Sequence, residues 1–190
     1  MGIGAVSALR RAVFLDRDGV LNDAVVRDGR PYSPGGLHEL AIPPDVPDAL
    51  RALRAAGFAL IVVTNQPDVA RGLQERAVVE AINAALRARL PLDDFFVCYH
   101  DDRDGCSCRK PQPGLLLQAA ARYRIDLAHS FMVGDRWRDV EAGRRAGCCT
   151  VRLERHYPDP GPESPAHHVA QSLQDAASWI LQRSEATEGA

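Results

Sequence analysis

Phe58 to Thr64 reads as a strand that is apolar on both faces, and such a strand is at home only inside a parallel sheet covered by helices on each side. The rest of the chain supplies that setting. Ala12 to Asp16 is a second strand. Asp45 stands where a helix cap belongs, ahead of Val46, Leu50 and Leu53 at helical spacing, with Gly57 at the far end. Gln74 to Leu90 is a long helix with Val78, Ile82, Ala85 and Leu86 on one face, followed by a strand at Phe95 to Tyr99. A helix near Pro113 to Tyr123, a strand at Ser130 to Gly134, a helix at Trp137 to Ala146 closed by Gly147, and a strand at Cys148 to Leu153 complete the alternation. The pattern predicts an α/β fold, a Rossmann-like three-layer α/β/α sandwich with a mostly parallel sheet. Ligands of such sheets bind at the carboxyl ends of the strands, where Asp16, Thr64 and Asp135 all fall.

With 190 residues, 46% of them hydrophobic, the chain is expected to form one domain over 1–190, its core spanning about 11–153. Val25 to Tyr32, with Asp28-Gly29 at its centre, predicts a small hairpin beside the site and a candidate flap. The Pro-rich stretch from Tyr157 to Pro165 reads as a linker. It leads to a last helix over about 169–183, with Val169, Leu173, Ala176 and Ile180 on one side, and the tail after Arg183 is expected to be disordered. The net charge of −2 and the lack of a basic block argue against binding nucleic acid. Met1 to Ser7 does not resemble a signal peptide, and no apolar run is long enough to span a bilayer, so a cytoplasmic, reducing setting without a membrane partner is expected.

Four motifs carry chemistry. Phe14-Leu15-Asp16-Arg17-Asp18-Gly19-Val20 delivers two carboxylates, two residues apart, into a glycine turn; on a strand both would share one face. One carboxylate can attack phosphorus while the other handles the leaving group's proton. Thr64-Asn65-Gln66 brings a hydroxyl and amides to the same sheet edge, suited to phosphate oxygens. Arg109-Lys110 supplies two cations. Val133-Gly134-Asp135, with Asp139 one helical turn on, offers the carboxylates a Mg²⁺ site requires. Taken singly, each has an ordinary structural explanation as a turn, an N-cap or a solvated surface pair.

In order along one α/β sheet, DxDG, Thr, Lys and GDxxxD together resemble the haloacid dehalogenase superfamily of aspartate-nucleophile phosphatases, over about Arg11 to Leu153. The resemblance implies that Asp16 is the nucleophile, Asp18 the general acid and base, Thr64 a phosphate ligand and Lys110 the charge stabiliser. It also implies that Asp16, Asp135 and the backbone carbonyl of Asp18 hold Mg²⁺, with Asp139 behind them. The gaps from Asp18 to Thr64 and from Thr64 to Lys110 are largely filled by core elements, which implies a capless enzyme with an open site, expected to be a monomer.

Cys98, His100, Cys106 and Cys108 precede Arg109-Lys110 directly, and three thiolates with one imidazole make a closed, structural zinc set. Buried thiols or redox-active cysteines are the other readings of these residues; Cys148 and Cys149 read as packing. With this loop, FLDRDGVLN at 14–22, TNQ followed by ARG at 64–72 and CRKPQPG at 108–114 resemble the branch that contains heptose-1,7-bisphosphate 7-phosphatases and histidinol-phosphate phosphatases. That branch implies a small-molecule sugar phosphate as substrate, contacted by Asn65, Gln66, Arg109 and Lys110, most directly at the C7 phosphate of the heptose. Pro67-Asp68-Val69 departs from the Ser-Gly-Ile common there. Histidinol phosphate is the alternative substrate. A receiver-like phosphoacceptor domain and a zinc-dependent nucleic-acid module are the readings outside phosphatases; Asp18 argues against the first and the charge balance against the second.

Overall fold

The structure, a computed structural model, describes residues 9–162 and 165–188. Its main sheet has six strands in the order β5-β4-β1-β6-β7-β8, every neighbouring pair parallel. The strands are β1 (Ala12–Leu15), β4 (Ala59–Asn65), β5 (Asp94–Cys98), β6 (Phe131–Gly134), β7 (Cys149–Leu153) and β8 (His168–Ala170). The helices are α1 (Val46–Ala55), α2 (Arg76–Arg89), α3 (Gly114–Tyr123), α4 (Trp137–Ala146) and α5 (Leu173–Glu188). Strand alternation divides the core in two. Val13, Leu15, Leu60, Val62 and Val133 join the apolar residues of α1, α2 and α5. Ala12, Phe14, Ile61, Val63 and Met132 point the other way, toward α3 and α4. The side chains of β1 and of β4 through Val63 are buried completely, each large one contributing about 1.5–3 kcal/mol, as strands inside the sheet and covered on both faces require.

The expected hairpin forms from β2 (Val25–Arg27) and β3 (Arg30–Tyr32), turning through Asp28 and Gly29 at positive φ. Among the described residues, only this hairpin and a short 3₁₀ turn at Leu37–Glu39 lie between β1 and α1, and only a turn and α2 between β4 and β5. There is no room in those connections for an inserted cap.

Several elements differ from the sequence reading. The helix α2 starts at Arg76, after Gln74 has turned back to the Asp68 carbonyl, and its buried positions are Val79, Ile82, Asn83 and Leu86, with Val78 partly buried against the same core and Ala85 half-buried. Asp45 caps α5, accepting from Gln174 N at 3.2 Å, and makes no side-chain cap on α1. Val169 lies on the short edge strand β8 and is 44% exposed, while α5 begins at Leu173 and continues past Arg183 to Glu188. Leu173, Ala176 and Ile180 do face the core. The stretch Tyr157 to Gly161 is not helical, as its prolines require, but it is docked on the strand ends. Met1 to Ser7 lies outside the described residues. No described helix is long and apolar enough to cross a membrane.

Candidate active site

The site lies at the carboxyl ends of β1, β4 and β6, in a cavity of about 770 Å³. The hairpin forms one wall and Tyr157 to Pro160 another. Asp16 continues the ladder one residue beyond β1, its N–H donating to Val133 O at 2.9 Å, and its Oδ1 lies 2.8 Å from Lys110 Nζ. Lys110 is 1% exposed and meets three oxygens: Asp16, Asp139 Oδ1 at 2.6 Å and the Val63 carbonyl at 2.7 Å. Burial works against its charge, but Asp139 and Asp16 outweigh that and raise its pKa. Burial is also what most raises Asp16, with Asp139 and Asp18 adding and Lys110 opposing, to about 6.

Asp18 lies beyond the end of the strand, in a tight turn closed by Leu21 N to Arg17 O at 2.8 Å. Four side chains converge on its carboxylate. Arg17 binds both oxygens at 3.1 and 3.0 Å, Asn22 Nδ2 donates at 2.9 Å, Gln66 Nε2 at 2.8 Å, and Ser33 Oγ lies 2.7 Å away. Burial raises its pKa, yet Arg17, Asn22 and Gln66 more than offset this and hold it below the usual carboxylate range. Arg17 itself is fully buried, with its Nη1 on Asn83 Oδ1 at 3.0 Å.

Thr64 is buried, and its hydroxyl accepts from Gln66 Nε2 at 3.1 Å. Asn65 uses both ends of its amide on the main chain of Lys110, donating to its carbonyl at 3.0 Å and accepting from its N–H at 3.1 Å. Arg109 grips Asp102 through Nε at 2.8 Å, and its buried Nη1 has no hydrogen-bond partner.

Asp135 follows β6. Its Oδ2 accepts from the Tyr157 hydroxyl; its Oδ1 is buried without any hydrogen-bond partner. Burial, then Asp139 and Asp16, push its pKa well up. Asp139 has both oxygens engaged, Oδ1 on Lys110 and Oδ2 on Arg136 N at 3.0 Å. A side chain at Gly134 would collide with Asp139, an ideal Cβ falling 2.1 Å from its Cβ, so only glycine lets α4 come this close. One oxygen each of Asp16, Asp135 and Asp139 lies within 4.8 Å of the others. A hard divalent cation fits this arrangement, because buried oxygens of like charge need a counter-ion beyond Lys110. With Asp139 already engaged, Asp16 and Asp135 are the side chains free to hold it.

Cys98, His100, Cys106 and Cys108 also converge. Cys108 Sγ is 3.2 Å from Cys98 Sγ, 3.4 Å from Cys106 Sγ and 3.3 Å from His100 Nδ1, and Cys98 is 3.7 Å from Cys106 and 3.6 Å from His100. A tetrahedral zinc with sulfur ligands at about 2.3 Å would set its thiolates about 3.8 Å apart, so the set fits that ion. Burial raises Cys106, but the Cys108 thiol and the N–H groups of Arg109 and Cys108 bring it to about 7. Cys148 is buried among apolar residues and Cys149 packs on the opposite core, as packing roles require.

All the predicted residues are thus gathered at two neighbouring sites, except that Asp18 is turned toward its own ring of donors. Sequence reasoning missed Arg17 and Ser33, which hold Asp18, and Tyr157 and Asp159, which reach the site from beyond β7. Only Arg17 carried a signal, its place between the two acids.

A carboxylate beside a buried lysine, facing a second carboxylate with an orphaned oxygen, is equipped to take a phosphoryl group; that places the molecule among phosphoryl-transfer enzymes. The family model of haloacid dehalogenase-like hydrolases matches residues 33–147. The chain is 36% identical over 185 residues to D-glycero-beta-D-manno-heptose-1,7-bisphosphate 7-phosphatase of Escherichia coli K12, covering 90% of this chain and 87% of that one. Identity to the Pseudomonas aeruginosa protein of the same name is 36% over 183 residues, covering 91% and 99%. The crystal structure of D,D-heptose 1,7-bisphosphate phosphatase from B. bronchiseptica, complexed with magnesium and phosphate, is similar with a TM-score of 0.75 at 33% identity, covering 91% of this chain and 99% of that one. The chain belongs to the haloacid dehalogenase-like hydrolase family. Its relatives in that family are phosphatases.

Proposed function

We propose that this protein is a Mg²⁺-dependent phosphatase that removes the 7-phosphate of D-glycero-D-manno-heptose 1,7-bisphosphate through an aspartyl-phosphate on Asp16. The observation that carries the reading is the pairing of Asp16 with Lys110 at 2.8 Å beside the unpartnered Oδ1 of Asp135. Asp16 and Asp135, with the Asp18 carbonyl, would hold Mg²⁺, which when bound cancels phosphate charge and lets a carboxylate approach phosphorus. Without such compensation, two unit charges 4 Å apart repel by about 4 kcal/mol at an effective dielectric of 20.

In the first step an Asp16 oxygen bonds to phosphorus as the bond from phosphorus to the sugar oxygen breaks, and Asp18 gives the leaving oxygen a proton. In the second, water attacks the same phosphorus, Asp18 takes the water's proton, and the bond from Asp16 to phosphorus breaks to release inorganic phosphate. The ring of donors around Asp18 supplies the ionised form needed in the second step. The negative phosphate arriving beside it favours the protonated form needed in the first. Lys110 stays paired with Asp16 and neutralises transferred charge, while Thr64 stands at the same strand end as a phosphate ligand, its hydroxyl oriented by the Gln66 amide. The free Nη1 of Arg109 supports a substrate with a further anionic group.

Cys98, His100, Cys106 and Cys108 would hold a structural Zn²⁺ that fixes the segment delivering Arg109 and Lys110. The reading takes the chain as one catalytic domain, supported by helices that pack on both faces of one sheet, and as a monomer because among the described residues no inserted cap or second module accompanies the core. A reducing, cytoplasmic setting would keep Cys98, Cys106 and Cys108 as the thiols that a zinc site needs. The test is Mg²⁺-dependent phosphate release from heptose 1,7-bisphosphate, histidinol phosphate and an aryl phosphate. The heptose is expected to lead in kcat/KM by orders of magnitude; equal weak rates on all three would discard the heptose and keep the phosphatase.

A further inference from the structure

The segment after β7 reads as a linker in sequence, yet it is tied to the site at both ends. Arg155 Nε donates to the carbonyl of Gly19, in the turn that carries Asp18, at 2.8 Å. Asp159 accepts from Trp137 N at 2.5 Å and from Arg136 Nε at 3.3 Å, so it satisfies the first turn of α4. The Trp137 indole donates to Pro160 O at 3.2 Å, and Gly161 lies flat against that indole, where an ideal Cβ would fall 2.0 Å from Nε1. Pro158 and Pro160 stiffen the backbone between these anchors. Tyr157 stands in the middle of the strap, and its hydroxyl reaches Asp135 Oδ2. Gly19, at φ +86°, leaves the space this needs: a Cβ there would fall 2.5 Å from the Tyr157 hydroxyl and 2.6 Å from Asp135 Oδ2.

The consequence lies in which Asp135 oxygen is left over. Tyr157 is a donor only to Oδ2, so Oδ1 stays buried and unpartnered on a carboxylate that brings one oxygen within 4.8 Å of Asp16 and Asp139. A hydrogen bond on one oxygen of a carboxylate sets its rotation and therefore the direction of the other. We propose that Tyr157 is a positioning residue, held by the Arg155–Gly161 strap, that orients Asp135 so that its Oδ1 is presented to the divalent cation. This inference rests on the reading of Asp135 as a Mg²⁺ ligand given above.

The experiment is calorimetric titration of Mg²⁺ into the full chain, without substrate, for wild type, Tyr157→Phe, Tyr157→Ala and Asp135→Asn, with circular dichroism to show that each is folded. Tyr157→Phe removes only the hydroxyl and is expected to weaken Mg²⁺ about tenfold, in the range seen when a partner of a metal ligand is removed. KM for a phosphate monoester at saturating Mg²⁺ is expected to stay within about twofold, because the hydroxyl acts through Asp135 and not on the substrate. Unchanged or tighter Mg²⁺ binding in Tyr157→Phe overturns the proposal, and so does a loss seen only in Tyr157→Ala, which would make the ring a wall and nothing more. If Asp135→Asn itself leaves Mg²⁺ affinity intact, the cation reading of the site fails first, a result distinct from the failure of Tyr157 alone.

Discussion

The carboxylate site and the cysteine–histidine loop sit side by side, but they are assembled in opposite ways. Asp16, Lys110, Asp135 and Asp139 come from distant parts of the chain and meet only because β1, β4 and β6 are neighbours in the sheet. The frame beneath them is apolar and fully buried, so it does not depend on an ion. Cys98, His100, Cys106 and Cys108 come from one short segment, whose 3₁₀ turn at Asp102–Asp104 has no buried residue of its own. A metal in the first site would do chemistry on a scaffold already built, whereas in the second it would be the scaffold. What separates a chemical from a structural metal here is how much apolar packing already holds the backbone that carries its ligands.

Asp16→Asn gives the comparison its sharpest form. Turnover is expected to fall by about 10³-fold or more, since an amide cannot form the acyl-phosphate. The thermal midpoint should hold or rise, because the substitution removes a buried charge facing Asp139. A large loss of stability would mean that the carboxylate site is part of the scaffold after all.

With zinc in the loop as proposed, stripping it with a thiol-compatible chelator, or replacing Cys106 by Ser, is expected to do the reverse. Proteolysis should appear within 99–109, and turnover should fall by about 10²-fold as Arg109 and Lys110 lose their placement. Removal of Mg²⁺ alone should leave the protease pattern unchanged, and equal patterns in the two treatments would erase the distinction.

The smallest effect expected is one of pH. Asp16 is raised from its ordinary 3.8 to about 6, so below pH 6 it is increasingly protonated in the folded state and unable to bind a cation. Mg²⁺ affinity should therefore fall by about tenfold per pH unit below 6, with proton release on binding measurable in buffers of different ionisation enthalpy. For stability the sign is opposite: a folded-state value above the unfolded one means that ionising Asp16 costs stability, fully so above pH 6 and not at all below about 3.8. Adding Mg²⁺ should cancel that slope.

Much of this was legible in the sequence for physical reasons that residues such as Phe14, Ile61 and Val133 make plain. A strand buried on both faces has to be apolar throughout, and the polar residue that ends it has to sit at the sheet's edge. The C-terminal region was harder to read. His168-Val169-Ala170 is too short for a periodic signal, so the pattern joins Val169 to the following helix, and Tyr157 to Gly161 reads as a linker because prolines forbid a helix without saying where the chain goes. Asp18 was placed by strand alternation, but the strand ends at Leu15 and a turn governs its direction.

The sequence by itself determined the strand–helix alternation, the presence of the DxDG, lysine and GDxxxD motifs, and the local cysteine–histidine set between Cys98 and Cys108, because each depends on residues close together in the chain. Tertiary structure alone decided that Ser33 and Gln66 close on Asp18, that Lys110 takes Oδ1 of Asp139, and that Tyr157 reaches back to Asp135. Those are contacts between segments whose sequences carry no record of one another, and only the packing of the sheet and its covering loops brings them within hydrogen-bond range.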